Sequence, residues 1–153
     1  MLMLPIIAAA LVSAPDAQLD GWAGTWAIAN SEGRRIGHSR IEEQAPQLMV
    51  FEVREVEGNP PQPLWFEYSE RNKGWTQLFR GPFGIREFGP LSPPGEWPLR
   101  LGADVVLRDG TPVTYRMAVT RISADAYRRL LEVSRDKGKS WQTVFDYQYS
   151  REK

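Results

Sequence analysis

Trp141-Gln142-Thr143-Val144-Phe145-Asp146-Tyr147-Gln148-Tyr149-Ser150-Arg151 is the stretch whose reading decides the fold of this chain. Trp141, Thr143, Phe145, Tyr147 and Tyr149 alternate with Gln142, Asp146, Gln148 and Ser150, the two-residue period of a strand with one dry and one wet face. Upstream, Val113, Tyr115, Met117 and Val119 alternate with Thr114, Arg116, Ala118 and Thr120 in the same way. Turn-forming residues punctuate the chain at Asn30-Ser31-Glu32-Gly33, Glu57-Gly58-Asn59-Pro60, Asn72-Lys73-Gly74, Arg108-Asp109-Gly110 and Asp136-Lys137-Gly138. The intervals suit successive hairpins and leave no room for crossover helices. The pattern therefore predicts an all-β chain folded as a single antiparallel up-and-down barrel.

Composition narrows the function classes. A chain of 153 residues fits one domain, and its 42% hydrophobic and 25% charged residues are those of a globular protein. Nineteen Lys and Arg balance nineteen Asp and Glu, so net charge gives no bias toward nucleic acid or anionic lipid. With no cysteine, disulfides, thiolate catalysis and Cys-ligated metal are excluded. No phosphate loop, dinucleotide fingerprint or Gly-x-Ser-x-Gly elbow is present, and Gly81-Pro82-Phe83-Gly84 reads as a turn.

Met1 to about Ala17 reads as a secretory signal: Leu2 to Val12 is nearly all apolar, and small residues follow at Ser13, Ala14 and Ala17. The segment is too short to span a bilayer. The expectation is a signal peptide over 1–17, a barrel domain over 19–153, a periplasmic or extracellular location and no stable membrane insertion. From Gly89 to Gly102 the prolines Pro90, Pro93, Pro94 and Pro98 interrupt pairing. That region is either a long connection tucked against the wall or a lid over the barrel mouth.

Leu131-Glu132-Val133-Ser134-Arg135-Asp136-Lys137-Gly138-Lys139-Ser140-Trp141, followed by Val144-Phe145-Asp146 and Tyr149-Ser150-Arg151, resembles the closing hairpin of secreted bacterial lipocalin-like proteins of the calycin type, a group of undefined function. Trp22 and Gly24-Thr25-Trp26 are similar to that group's opening, and Trp75-Thr76-Gln77 with Gly84 to its middle segment. The resemblance implies a barrel of about eight to ten strands. It also implies structural closure of one end by Gly24, Trp26 and Arg151, with the guanidinium stacked on the indole. Lys137 stands where the group has the first of two glycines, so a left-handed backbone there would be mildly strained.

Function must then come from the lumen. Six Trp, six Phe and five Tyr are a high aromatic load, suited to an apolar ligand and equally to a packed core. Phe51, Phe66, Tyr68, Tyr115, Phe145 and Tyr147 are the lumen candidates. Charges interleaved in the strands at Glu52, Arg54, Glu67, Arg80, Arg86, Glu87, Arg116 and Arg129 read mainly as the solvated face, because Met49, Phe51 and Val53 look inward by apolarity. An arginine in the lumen would instead favour a carboxylate or other anionic group. His38, the sole histidine, reads as structural or surface, and no residue spacing calls for a metal or other cofactor. The basic hairpin with Arg128, Arg129, Arg135, Lys137 and Lys139 reads as solvated.

Three function classes remain open. The first is a secreted binding or carrier protein for a small apolar or amphipathic molecule. The second is an enzyme using the same pocket for proton transfer or isomerisation, with Glu52, Glu67 or His38 as acid or base. The third is a protein-interaction module such as an envelope protease inhibitor. Oligomeric state is open.

Overall fold

A computed structural model describes residues 18–45, 49–81 and 84–153. The signal-like segment and the centre of the Gly81-Pro82-Phe83-Gly84 turn lie outside the described residues. Ten strands follow in order: β1 (Gly24–Ala29), β2 (Arg35–Ala45), β3 (Met49–Val56), β4 (Gln62–Ser69), β5 (Gly74–Gly81), β6 (Gly84–Pro90), β7 (Leu99–Val106), β8 (Pro112–Ser123), β9 (Ala126–Ser134) and β10 (Gln142–Arg151). Each pairs antiparallel with its sequence neighbours, and β10 pairs with β1 to close the barrel. This single up-and-down architecture is the one expected from the alternation, and it is compatible with a lipocalin-like fold. Among the described residues there is no α-helix.

Because every connection is a hairpin, the barrel has two distinct ends. The β1/β2, β3/β4, β5/β6, β7/β8 and β9/β10 turns share one end, here called the mouth. The other end is closed. Trp26 is paired with Arg151 in the β1–β10 register, and the guanidinium carbon lies 4.2 Å from the indole centroid. Arg151 also donates to the Ala23 carbonyl at 2.9 Å, to the Gly21 carbonyl, and to Asp125 at 2.9 Å. Gly24 is required here: its φ is +135°, and a Cβ would lie 2.6 Å from Arg151 Nη1. Trp26 Nε1 donates to the Trp22 carbonyl at 2.9 Å, and Trp22 stacks on Tyr127 with centroids 5.2 Å apart. The plug is thus an aromatic stack held by one arginine.

The proline-rich connection between β6 and β7 lies at this closed end, so the lid alternative is overturned. Gln18 fastens it, donating to the Glu96 carbonyl at 2.6 Å and accepting from Gly95 N–H at 2.8 Å. Trp97 packs near Trp22, with centroids 6.4 Å apart. Pairing reaches further into the region than the prolines suggest, since β6 extends to Pro90 and β7 begins at Leu99. Between those strands, however, only Gly89↔Gly102 and Pro90↔Leu101 are in register. Toward the mouth β6 and β7 separate into a lateral slit.

A bulge resets the side-chain alternation of β10, and a left-handed turn precedes that strand. In β10 a bulge between Thr143 and Phe145 puts Thr143 opposite Glu132 and Phe145 opposite Leu131. Trp141 therefore does not share the inward phase of Phe145: it lies under the Arg116 guanidinium, 3.9 Å from ring centroid to guanidinium carbon. The preceding turn does hold Lys137 at φ +61° and Gly138 at +84°. Side chains compensate for the strain, as Ser134 Oγ accepts from Gly138 N–H at 2.7 Å and Asp136 accepts from Ser140 N–H at 2.8 Å.

Candidate functional site

The inward face of β3 is Val50, Glu52 and Arg54, the opposite of the phase expected from apolarity. Phe51 instead lies on the outer wall, tilted against Trp65 at 5.0 Å, and its placement in the lumen is corrected. The inversion has a physical cause. Glu52 and Arg129, from β3 and β9, meet inside the barrel at 2.8 Å with both side chains 0% exposed. Ser39 Oγ donates to the other carboxylate oxygen at 2.8 Å. A buried carboxylate is tolerable when each oxygen is hydrogen-bonded and a counter-charge is in contact.

Arg129 is the hub of this layer. Its guanidinium carbon lies 5.2 Å from the Phe66 centroid and 5.1 Å from that of Tyr149. Burial opposes its charge, yet the Glu52 carboxylate, with Tyr149 and Tyr127, holds its pKa above the ordinary arginine value. Burial also pushes the Tyr127 hydroxyl well up, reinforced by the Glu52 charge, and raises Tyr149 against the opposing charge of Arg129. Both phenols stay protonated at neutral pH.

Above the ion pair, toward the mouth, opens a cavity of about 330 Å³. Its apolar wall includes Phe88, Tyr115, Met117, Leu131, Phe145 and Tyr147, from β6, β8, β9 and β10. Its polar groups are Arg54, Gln62, Gln77 and Arg86, with Asn59 from the β3/β4 turn. Arg54 is pinned: Nε and Nη2 both donate to Gln62 Oε1, at 3.1 and 2.7 Å. The guanidinium also lies over Phe145 and Tyr147, 5.0 and 5.7 Å from their centroids.

Tyr115, Phe145 and Tyr147 line the cavity. Phe66 is fully buried below it, edge-on to Trp22 at 5.5 Å, and Tyr68 packs edge-on to Trp75 at 5.9 Å. Gly24, Trp26 and Arg151 meet at the closed end. Arg54 and Arg86 in the cavity, and the Glu52–Arg129 pair beneath it, are charges within strands that apolarity places on the wet face and that the structure turns inward. Glu67, Arg80, Glu87 and Arg116 do occupy that outer face. So do His38, 3.4 Å from Glu55, and Arg128, which holds Asp146 at 2.7 and 2.6 Å. Among the described residues no cluster of His, Cys, Asp and Glu could hold a metal ion.

No protein-family model matches the chain, and no curated protein matches it in sequence.

Proposed function

We propose that this protein binds a small apolar or amphipathic molecule in the mouth of the barrel, as a carrier or receptor acting outside the cytoplasm. The observation that supports it is the cavity above the ion pair, whose volume falls in the range of small-molecule pockets. Aromatic and aliphatic side chains form most of its wall and a few fixed polar groups converge in it, the usual composition of such sites. The resemblance to secreted lipocalin-like proteins and the signal-like first segment agree with this assignment.

Acid–base catalysis in the same cavity is the weaker reading. Both Glu52 oxygens are engaged, by Ser39 and Arg129, while Glu67 and His38 are on the outer face. A general acid or base must reach the substrate proton directly or through one water. None of the three lines the cavity.

The test is native mass spectrometry of the protein isolated from its own host, followed by solvent extraction. A stoichiometric small molecule lost on extraction is the expected result. A bare protein mass, together with no uptake of apolar fluorescent probes, would rule the binding function out.

A further inference from the structure

Resting on the binding reading above, we infer that the ligand is an anionic amphiphile whose carboxylate-type oxyanion is received by Arg54, with Arg86 as the second positive group, while its apolar part lies against Phe88, Met117 and Leu131.

Charge comes first. Among the described residues, those lining the cavity include two arginines and no Asp or Glu. The carboxylate closest beneath, Glu52, is already neutralised by Arg129. Arg54, buried in the cavity, and Arg86, half-buried at its edge, thus make no ion pair with an acidic residue among the described residues, and the low-dielectric surroundings of Arg54 strengthen its attraction for an anion. A cationic ligand would meet repulsion there, and a neutral one would leave both charges uncompensated.

Hydrogen-bonding capacity points the same way. Arg54 is 5% exposed, and its Nη1 has no hydrogen-bond partner among the described residues. Directly below, Arg129 Nε and Nη1 are likewise buried without partners among the described residues, whereas the Tyr149 hydroxyl lies within hydrogen-bonding reach of Arg54 and, like that of Tyr127, can accept as well as donate. Guanidinium nitrogens only donate, so the three on Arg54 and Arg129 form a set of donors that is unmet in this part of the lumen. What completes it is an acceptor, and an oxyanion is the acceptor that also satisfies the charge. The remaining unpartnered atom is Gln77 Oε1. Turned end for end, that amide offers one more N–H group at the same place.

Arg54 is also preorganised. Gln62 holds two nitrogens of Arg54, and Phe145 and Tyr147 fix its plane. A guanidinium already locked in place loses little further freedom when an anion arrives.

The experiment compares octanoate, octan-1-ol and acetate by isothermal titration against the wild-type chain and against the Arg54→Met, Arg54→Lys and Arg86→Met variants, each checked for folding by circular dichroism. Octanoate is expected to bind about tenfold or more tightly than octan-1-ol, the usual scale of a charge-assisted hydrogen bond. That preference should vanish in Arg54→Met and weaken in Arg86→Met. If Arg54→Met does not fold, Arg54→Lys carries the point: it keeps the charge but loses the planar fork, so the preference should fall without disappearing. Equal affinity for octanoate and octan-1-ol would overturn the anionic assignment while leaving the binding function intact. Binding of neither, together with a bare mass for the protein isolated from its host, would overturn the binding function itself. Acetate binding as tightly as octanoate would make the ligand a small free oxyanion and overturn the amphiphile.

Discussion

At the scale of the residue, Gly24 and the Glu52–Arg129 pair show how far a single position constrains the whole barrel. Gly24 combines a left-handed backbone with the approach of Arg151 Nη1 to where a Cβ would stand. Gly24→Ala is expected to lower stability by about 1–3 kcal/mol, because strain and displacement of the arginine act together. The urea midpoint measures it, and a midpoint equal to wild type would mean the closed end tolerates the methyl group. The ion pair obeys a different rule. Removing either partner leaves the other buried and uncompensated, so Glu52→Gln and Arg129→Met should each cost about 3–5 kcal/mol. Glu52→Leu combined with Arg129→Met should cost less than the sum of the two corresponding single changes. A double-mutant cycle in urea decides this: strict additivity would mean that the two charges do not stabilise one another.

The element that distinguishes this barrel is the gap between β6 and β7. Along β7, pairing with β8 runs from Leu99↔Val119 to Val106↔Pro112, whereas pairing with β6 stops after Gly89↔Gly102. Ile85 and Val106, 71% and 69% exposed, stand on the two strands beside the slit. Arg86 lines both the cavity and the outer groove formed with Val105 to Asp109, so it sits where the slit communicates with the lumen. Backbone groups that face the slit have no ladder partner and exchange with solvent without global unfolding. Amide hydrogen exchange should therefore show fast-exchanging positions within 84–88 and 103–106, while β8 and β9, paired on both sides, are protected. Uniform protection around the barrel would show that the slit is closed in solution.

For the whole molecule, the titrating groups define a stability plateau with two edges. Hydrogen bonds from Ser140 bring Asp136 down to about 2, the Thr111 N–H lowers Asp109, and Arg128 lowers Asp146. Carboxyls with a depressed folded pKa stabilise above their unfolded value, so this contribution fades as pH falls from the ordinary 3.8 toward about 2. Tyr127 and Tyr149 act at the other edge. Their folded pKa values lie above 10.0, so their stabilisation is complete below that pH and is lost as pH rises beyond it. Melting temperature against pH should be flat between these limits and fall outside both. Phenolate absorbance gives an independent check: of the five tyrosines, Tyr127 and Tyr149 should ionise only as the barrel unfolds, and five free titrations near the ordinary value would contradict their burial.

The amino-acid sequence by itself determined the strand period, the hairpin turns and hence the up-and-down barrel, because alternation and turn chemistry are local properties of consecutive residues. It also carried the closed end, since Gly24-Thr25-Trp26 and Arg151 lie at strand positions whose pairing follows from closing β10 on β1. Which face of β3 turns inward was decided only by tertiary structure. A two-residue period is unchanged in form by a one-residue slip, so Met49-Phe51-Val53 and Val50-Glu52-Arg54 are equivalent as patterns. Apolarity chose the first set, and the barrel chose the second because Arg129, 77 residues away from Glu52, meets its carboxylate across the lumen. The cavity follows from that choice. Arg54 enters it as the next inward residue of the strand, and its neighbours Gln62, Phe145 and Tyr147 become its support only once β3, β4 and β10 are brought together.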